Sequence, residues 1–395
     1  MARHLAERDL TLPTAAMTDV DVGVMSSALP AVAVADGVSL MTPHDEAEVR
    51  QLLRRTVTPG AIRLAFTREP NYFAAEGLAG AVDRTFVLRA GGRVEGVGRL
   101  STHAAHRNGV VRRIGYLGEL RVAPETSNSV RALRDGYALL RAGLDADRVD
   151  GCFTSIAADN VRARRVLEHG ARLGLPTYTP IAQLVTSLIP VAHRFRGEGR
   201  ASAQAVVDDG ELTDFLERQA CEAQLTPTWN EARWAALARH GIGPDDFCVV
   251  RQGGCIVGAG AVWDQRAFRQ TVISGYSGGL RWARPMVSAL AALGLVPSLP
   301  LPGEVLRQGS VLGATVNDVS HWATLWNALR AKAVQLGLDW IALARDASDP
   351  ELPMLRRPLG GREYRTQLYD VRWADMPSWS AAWDAKPFRP EVGLL

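Results

Sequence analysis

Cysteine is scarce: Cys152, Cys221, Cys248 and Cys255 are the only four in 395 residues, and no two make a CxxC pair. That argues against a disulfide framework and the usual zinc-ribbon spacings, and it fits a reducing compartment. The eight histidines are scattered, apart from His103-x-x-His106 in what reads as a polar Gly/Asn/Arg turn region, so no metal site is expected. Charge of one sign is lacking too. The 45 Lys and Arg stand against 42 Asp and Glu, a net +3, and no basic cluster is interleaved with aromatics, so nucleic acid is not an expected partner. No apolar run reaches the ~18 residues a spanning helix needs. Val22–Ala35 is mildly apolar, but Asp19 and Asp21 precede it where a signal peptide carries positive charge, and the expected location is cytoplasmic.

Tryptophan is missing from the first part of the chain, since all ten lie from Trp229 onward. Against that asymmetry stands an internal repeat. FVLRAGGRVEGVGRL at 86–100 recurs as CVVRQGGCIVGAGAV at 248–262, with Arg89, Gly91, Gly92, Gly96 and Gly98 on Arg251, Gly253, Gly254, Gly258 and Gly260. Each copy reads as a strand, a Gly-Gly turn and a second strand. YLGELRV at 116–122 has a weaker partner in VLGATV at 311–316, each followed by a helical pattern. The chain therefore divides into a tail over 1–37, a first domain over 38–193, a linker over 194–204 and a second domain over 205–395 that carries a Pro- and Gly-rich insert at 264–307. The order of elements in both halves predicts a mixed α/β sheet rather than a doubly wound one.

Glycine is also absent between Gly118 and Gly136, where an apolar strand ends at Pro124 and a polar knot, Thr126-Ser127-Asn128-Ser129, leads into a helix marked by Val130, Leu133, Tyr137, Leu140 and Leu144. The N-terminus of that helix points at the strand end and suits phosphate. The same residues equally cap the helix. A second strand then leads through Asp159-Asn160 into a helix carrying Arg162, Arg164 and Arg165.

Strand, loop, helix, then strand, Asn160-x-x-Ala163 and helix: this resembles the GNAT superfamily of acyl-CoA-dependent N-acyltransferases. The resemblance covers about 38–191 and, through the repeat, extends to the rest. It implies two tandem GNAT-like domains, each a mostly antiparallel twisted sheet flanked by helices. It implies acetyl-CoA or another acyl-CoA as donor, with no metal, and a small-molecule or peptide amine as acceptor. By resemblance the coenzyme lies against Leu120, Arg121 and Val122 on the strand, Ser127, Asn128, Ser129, Val130, Arg131 and Ala132 in the loop and helix start, and Asn160 with Arg164 on the second helix.

Glu119 sits where many members keep a carboxylate general base, and it could as well pair with Arg121, Arg112 or Arg113. The family's usual tyrosine, seven residues after the Asn, is Leu167 here, which leaves Tyr178 as the nearest candidate acid. On the acceptor side, Arg68 could hold a carboxylate while Tyr72 and Phe73 wall a pocket, or Phe73 is simply core. The second copy departs further and reads as coenzyme-poor. Two rival readings remain: a non-catalytic acyl-CoA or partner-binding protein, and a serine hydrolase using Ser277 of Gly275-Tyr276-Ser277-Gly278-Gly279.

Overall fold

The computed structural model describes residues 37–58, 60, 62–78, 82–123, 126, 129–191, 208–292, 299–356, 362–376 and 382–395. The expected tail, apart from Gly37, and the expected linker lie outside the described residues.

The first half contains β1 (Val38–Leu40), α1 (Glu46–Arg55), β2 (Val57–Thr58), β3 (Ile62–Thr67), β4 (Val82–Ala90), β5 (Arg93–Arg107), β6 (Val110–Val122), α2 (Ser129–Ala146), β7 (Gly151–Ala157), α3 (Val161–Glu168) and β8 (Thr177–Pro190). The second contains α4 (Asp209–Ala220), α5 (Glu231–Ala238), β9 (Phe247–Gln252), β10 (Cys255–Trp263), β11 (Gln270–Tyr276), α6 (Gly279–Ala292), β12 (Gln308–Val316), α7 (Trp322–Gln335), β13 (Trp340–Asp346), α8 (Leu352–Arg356) and β14 (Arg362–Arg372).

The repeated glycines make the hairpins. Gly91 and Gly92 turn β4 into β5 with φ of 57° and 77°, and Gly253 and Gly254 turn β9 into β10 with φ of 59° and 86°. Two successive positive-φ residues are what a two-residue turn between twisted strands demands. Contrary to the expectation from sequence, His103 and His106 are not in a turn. Both are buried in β5, which runs on to Arg107 before turning at Asn108-Gly109.

Eleven strands form one sheet in the order β1-β4-β5-β6-β7-β14-β8-β13-β12-β10-β9, and β11-β3-β2 form a second, smaller one. The halves exchange their last strands. β14 lies beside β7 of the first half, and β8 lies beside β13 of the second. Ala157 pairs with Thr366 as Asp346 pairs with Leu184, and Leu184 and Thr366 pair with each other, which marks the axis relating the halves.

Helices cover both faces. In the first half Tyr137, Leu140 and Leu144 of α2 pack with Phe86, Leu100 and Leu117, as the helical spacing predicts, while Val49, Leu52 and Leu53 of α1 pack on Val87, Val94 and Val97 on the other face. In the second half α4 and α7 take the corresponding places. Each such side chain taken out of water contributes about 1.5–3 kcal/mol before entropy is counted.

Candidate active site

Two breaks in the sheet set the site. The first is a bulge in β6: Arg99 faces Gly118 and Val97 faces Arg121, so Glu119 and Leu120 share one place in the ladder. Glu119 has φ +55°, a left-handed conformation that costs a non-glycine residue roughly 1–3 kcal/mol. In β12 the same bulge falls at Gly313, φ +60°. One half thus holds a carboxylate where the other keeps the residue that fits the backbone.

The second break is a splay. β6 pairs with β7 only from Ile114/Gly151 to Leu117/Thr154, although β6 continues to Val122 and β7 to Ala157. β12 parts from β13 after Ser310/Ala342 in the same way. What fills the two gaps differs. Arg345 of β13 donates across the second gap to the Ala314 carbonyl, and the Gly313 N–H at the bulge donates to Glu391 Oε1 at 3.0 Å. From the ladders on either side of each bulge, the first-half position equivalent to Arg345 is Ile156, whose apolar side chain can donate no hydrogen bond; β6 and β7 are bridged instead by Thr154 Oγ1, which donates to the Leu117 carbonyl at 2.6 Å, and by the Tyr116 and Ser155 hydroxyls, 2.9 Å apart. The mouth of the second cleft is taken by the protein's own groups.

Around Glu119 the structure gathers what the sequence proposed, with different partners. Arg68 Nε donates to Glu119 Oε1 at 2.5 Å with Nη2 on the same oxygen, and the Tyr72 hydroxyl donates to Oε2 at 2.7 Å. Arg68 also lies 5.2 Å from the centre of the Tyr72 ring. Arg112, Arg113 and Arg121 are not the partners. Arg113 instead reaches the Asp147 carbonyl and Arg121 the Leu120 carbonyl. Arg99 is bound at both ends of its fork to Asp83, at 3.0 and 2.7 Å. Burial alone would raise the Glu119 pKa, yet Arg68, Arg99 and the Tyr72 hydrogen bond together hold it at about 2. Phe73 packs edge-on against Tyr72 and joins the core beneath α1.

Beside the bulge, under α2, lies an apolar cavity of about 50 Å³ lined by Phe86, Leu88, Gly98, Leu120, Tyr137 and Leu140 among others, with Arg121, Val122 and Ala132 on its wall. Gly136 faces it from α2, where an added Cβ would meet nothing within 4 Å. Tyr178 is placed in the core rather than on the cleft: only 6% exposed, its hydroxyl is hydrogen-bonded to that of Tyr137, and burial pushes its pKa well up. The physical reason is the strand exchange, which carries β8 inward against β14. Tyr137, visible in the sequence only as a core position, is the tyrosine that lines the cavity.

Of the proposed loop residues, Ser127 and Asn128 lie outside the described residues, as does the side chain of Ser129, which opens α2. Val130 is half-buried, and Arg131 is exposed and lies 3.9 Å from Asp135. Asn160 caps α3 by accepting from the Ala163 N–H at 3.2 Å. Arg164 is not free for a phosphate: it binds the Tyr369 hydroxyl at 2.9 Å, the Ala158 carbonyl at 3.1 Å and Glu168 at 3.3 Å. Arg162 and Arg165 are exposed. Ser277 donates to the Gly60 carbonyl at 2.6 Å, and His321 pairs with Asn317 at 3.0 Å, so neither assists the other. Among the described residues one group of metal-ligating types occurs, His106, Glu217 and Cys221, with candidate ligand atoms within 4.8 Å of one another; within it His106 Nε2 and Glu217 Oε1 are 2.8 Å apart. Among the described residues no helix is long and apolar enough to cross a membrane.

No protein-family model matches this chain, and no curated protein does. Solved structures do. Saccharomyces cerevisiae N-myristoyltransferase with bound myristoyl-CoA aligns with a TM-score of 0.54 at 10% identity, over 92% of this chain and 90% of that one. At 10% identity this likeness is one of fold alone: the chain has a GNAT-like fold. A probable N-acyltransferase of Enterococcus faecalis V583 aligns at TM-score 0.40 and 10% identity, over 86% of this chain and 72% of the other. A GCN5-related N-acetyltransferase of Anabaena variabilis aligns at 0.41 and 11%, over 75% and 64%. Bulge and splay occur twice in this fold, and the arginine that bonds across the second splay has an apolar residue, Ile156, as its counterpart at the first.

Proposed function

We propose that the chain is an acyl-CoA-dependent N-acyltransferase that uses its first half to move an acyl group, acetyl or longer, to a primary amine. The observation that carries this is the asymmetry of the two splays: Arg345 and Glu391 bind backbone groups at the second, while the first has the apolar Ile156 in place of Arg345 and lies beside a carboxylate held in a strained conformation. In this reading the thioester lies along β6 beyond Leu117, where backbone N–H groups near Arg121 and Val122 stabilise the oxyanion. Pantetheine enters between β6 and β7, and the start of α2 at Val130–Ala132 faces the diphosphate. The cavity beside Leu120, with room for a few waters, receives the acyl group.

Glu119 was expected as general base, but a carboxylate held near pKa 2 has little drive to keep a proton. We assign it a different part. The neutral amine attacks the thioester carbonyl, its nitrogen gains positive charge, and the anionic Glu119 stabilises that charge while water removes the proton. The coenzyme leaves as a thiolate, and a thiol with an ordinary pKa of ~8.5 needs no phenol such as Tyr178 to take it. Holding donor and amine together supplies much of the remaining acceleration.

The tight anchoring of Glu119 also favours a second reading, a GNAT-like protein that binds acyl-CoA without turnover. Thioester consumption against a panel of amines separates the two. Acyl transfer predicts consumption that falls by about 10²–10³-fold in Glu119→Gln, by analogy with the loss of an electrostatic stabiliser elsewhere. Binding of acyl-CoA with no consumption by any amine would leave the second reading.

A further inference from the structure

A cation that the proposed chemistry does not use stands next to Glu119. β11 and β3 pair antiparallel up to Gln270 opposite Thr67, and Arg269 and Arg68 are the residues next beyond that last pair, close enough for their charges to act on one another. Gln270 and Thr67 line a separate cleft of about 740 Å³. Their neighbours Arg68 and Arg269 alternate to the other side, where Arg68 meets Glu119. Like charges opposite one another across a strand pair are destabilising, and burial makes them more so.

The nearby charges do not balance. Arg68 is matched by Glu119 and Arg99 by Asp83, which leaves Arg269 without a carboxylate partner among the described residues. Its Nη1 donates to the Gly393 carbonyl at 3.2 Å, and its Nη2 is buried with no hydrogen-bond partner. Burial first, then the charges of Arg68 and Arg99, pull its pKa down to about 9, an uncommon position for a guanidinium. A buried donor left unmade costs about 1–3 kcal/mol, more for a charged group.

We infer that Arg269 is the anchor for a carboxylate on the acceptor, so that the substrate is an amino acid or peptide presenting its amine to Glu119 and its carboxylate to Arg269. This rests on the acyltransferase reading for the amine and on Arg269 alone for the anion. It also reassigns a role: from the sequence Arg68 could hold the acceptor carboxylate, but its Nε and Nη2 are on Glu119. One spare guanidinium edge and one uncompensated charge suit a monoanion better than a phosphate dianion.

The test uses amines paired with and without the carboxylate: phenylalanine against phenethylamine, lysine against 1,5-diaminopentane, and glycylglycine against its amide, with 2-aminoethyl phosphate as the alternative anion. Calorimetry measures binding to the full chain, and thioester consumption with acetyl-CoA is measured in parallel. We expect the carboxylate members to bind about 10- to 100-fold tighter, the preference to collapse in Arg269→Gln, and Arg269→Lys to restore part of it. Both variants should fold, since Arg269→Gln eases the crowding of cations at Arg68 and Arg269→Lys adds no charge to it, and a thermal melt checks this. Equal binding within pairs, no binding of any carboxylate, stronger binding of the phosphate, or a preference that survives Arg269→Gln would overturn the inference. Arg269-dependent binding without thioester consumption would leave the anion site standing and sink the transferase reading. Consumption only with the carboxylate-free members would do the reverse.

Discussion

At the scale of single residues the two halves place a carboxylate at the same bulge by different routes, and the two should titrate in opposite senses. Glu119 is held at about 2, below its ordinary 4.5, so its contribution is present above about 4.5 and is lost as pH falls towards 2. Wild type should therefore exceed Glu119→Gln by ~1–3 kcal/mol at neutral pH, discounted for partial exposure, with the gap closing through that window in urea melts. Glu391 is the converse: burial raises it to about 7, against the pull of Arg345 and Arg233. Its stabilising effect is full below about 4.5 and is lost as pH rises through 7, so Glu391→Gln should gain on wild type by about 1–3 kcal/mol between those values. A pH-independent difference in either case would contradict the assignment. Glu119, Arg68 and Tyr72 were each legible as candidates, but their union was not. Strand alternation offers Arg112, Arg113 and Arg121 as neighbours, and only a bulge, which no single side chain announces, turns Glu119 toward Arg68. Arg269 was illegible for a related reason, since its place is set by pairing between β3 and β11, some 200 residues apart in sequence.

At the scale of elements the repeated Gly-Gly pairs were enough to fix both hairpins, because a two-residue turn has few alternatives. The glycines deeper in the chain have unlike roles, and a pair of alanine substitutions should separate them. Gly136 lies inside α2 with open space around it, so Gly136→Ala should stabilise the chain by about 0.5–1 kcal/mol while narrowing the cavity. Gly313 has φ +60°, and an added Cβ would lie 2.9 Å from Trp229 and 3.0 Å from Phe247, so Gly313→Ala should cost ~2 kcal/mol or more. Thermal or denaturant melts of the two variants check both signs. The β5 histidines were misread at this scale. Polarity suggested a turn, but tertiary contacts override it: His106 meets Glu217 of α4, and His103 is held neutral by burial that drives its pKa to about 3.

At the scale of the whole molecule the internal repeat pointed to two copies of one fold, while the strand exchange stayed hidden because it depends on pairings between distant segments. Exchange has a mechanical consequence. Residues 1–200 alone would leave β7 without β14 and β8 without β13. That fragment should fail to fold cooperatively, whereas the full chain should unfold in a single calorimetric transition; two resolved transitions, or a stable fragment, would contradict the reading. In the proposed reading the first half is the working one, and equivalent positions in the two clefts differ by single residues. Ile156 offers no hydrogen bond across the first splay, and Arg345 crosses the second. The most direct test of the central claim is a calorimetric titration of acetyl-CoA and a medium-chain acyl-CoA into the full chain and into Ile156→Arg, which copies the second half's plug into the first. One site per chain, lost in Ile156→Arg and kept in Arg345→Ala, is the result expected. No binding to the folded wild type, two sites, or binding untouched by Ile156→Arg would contradict it.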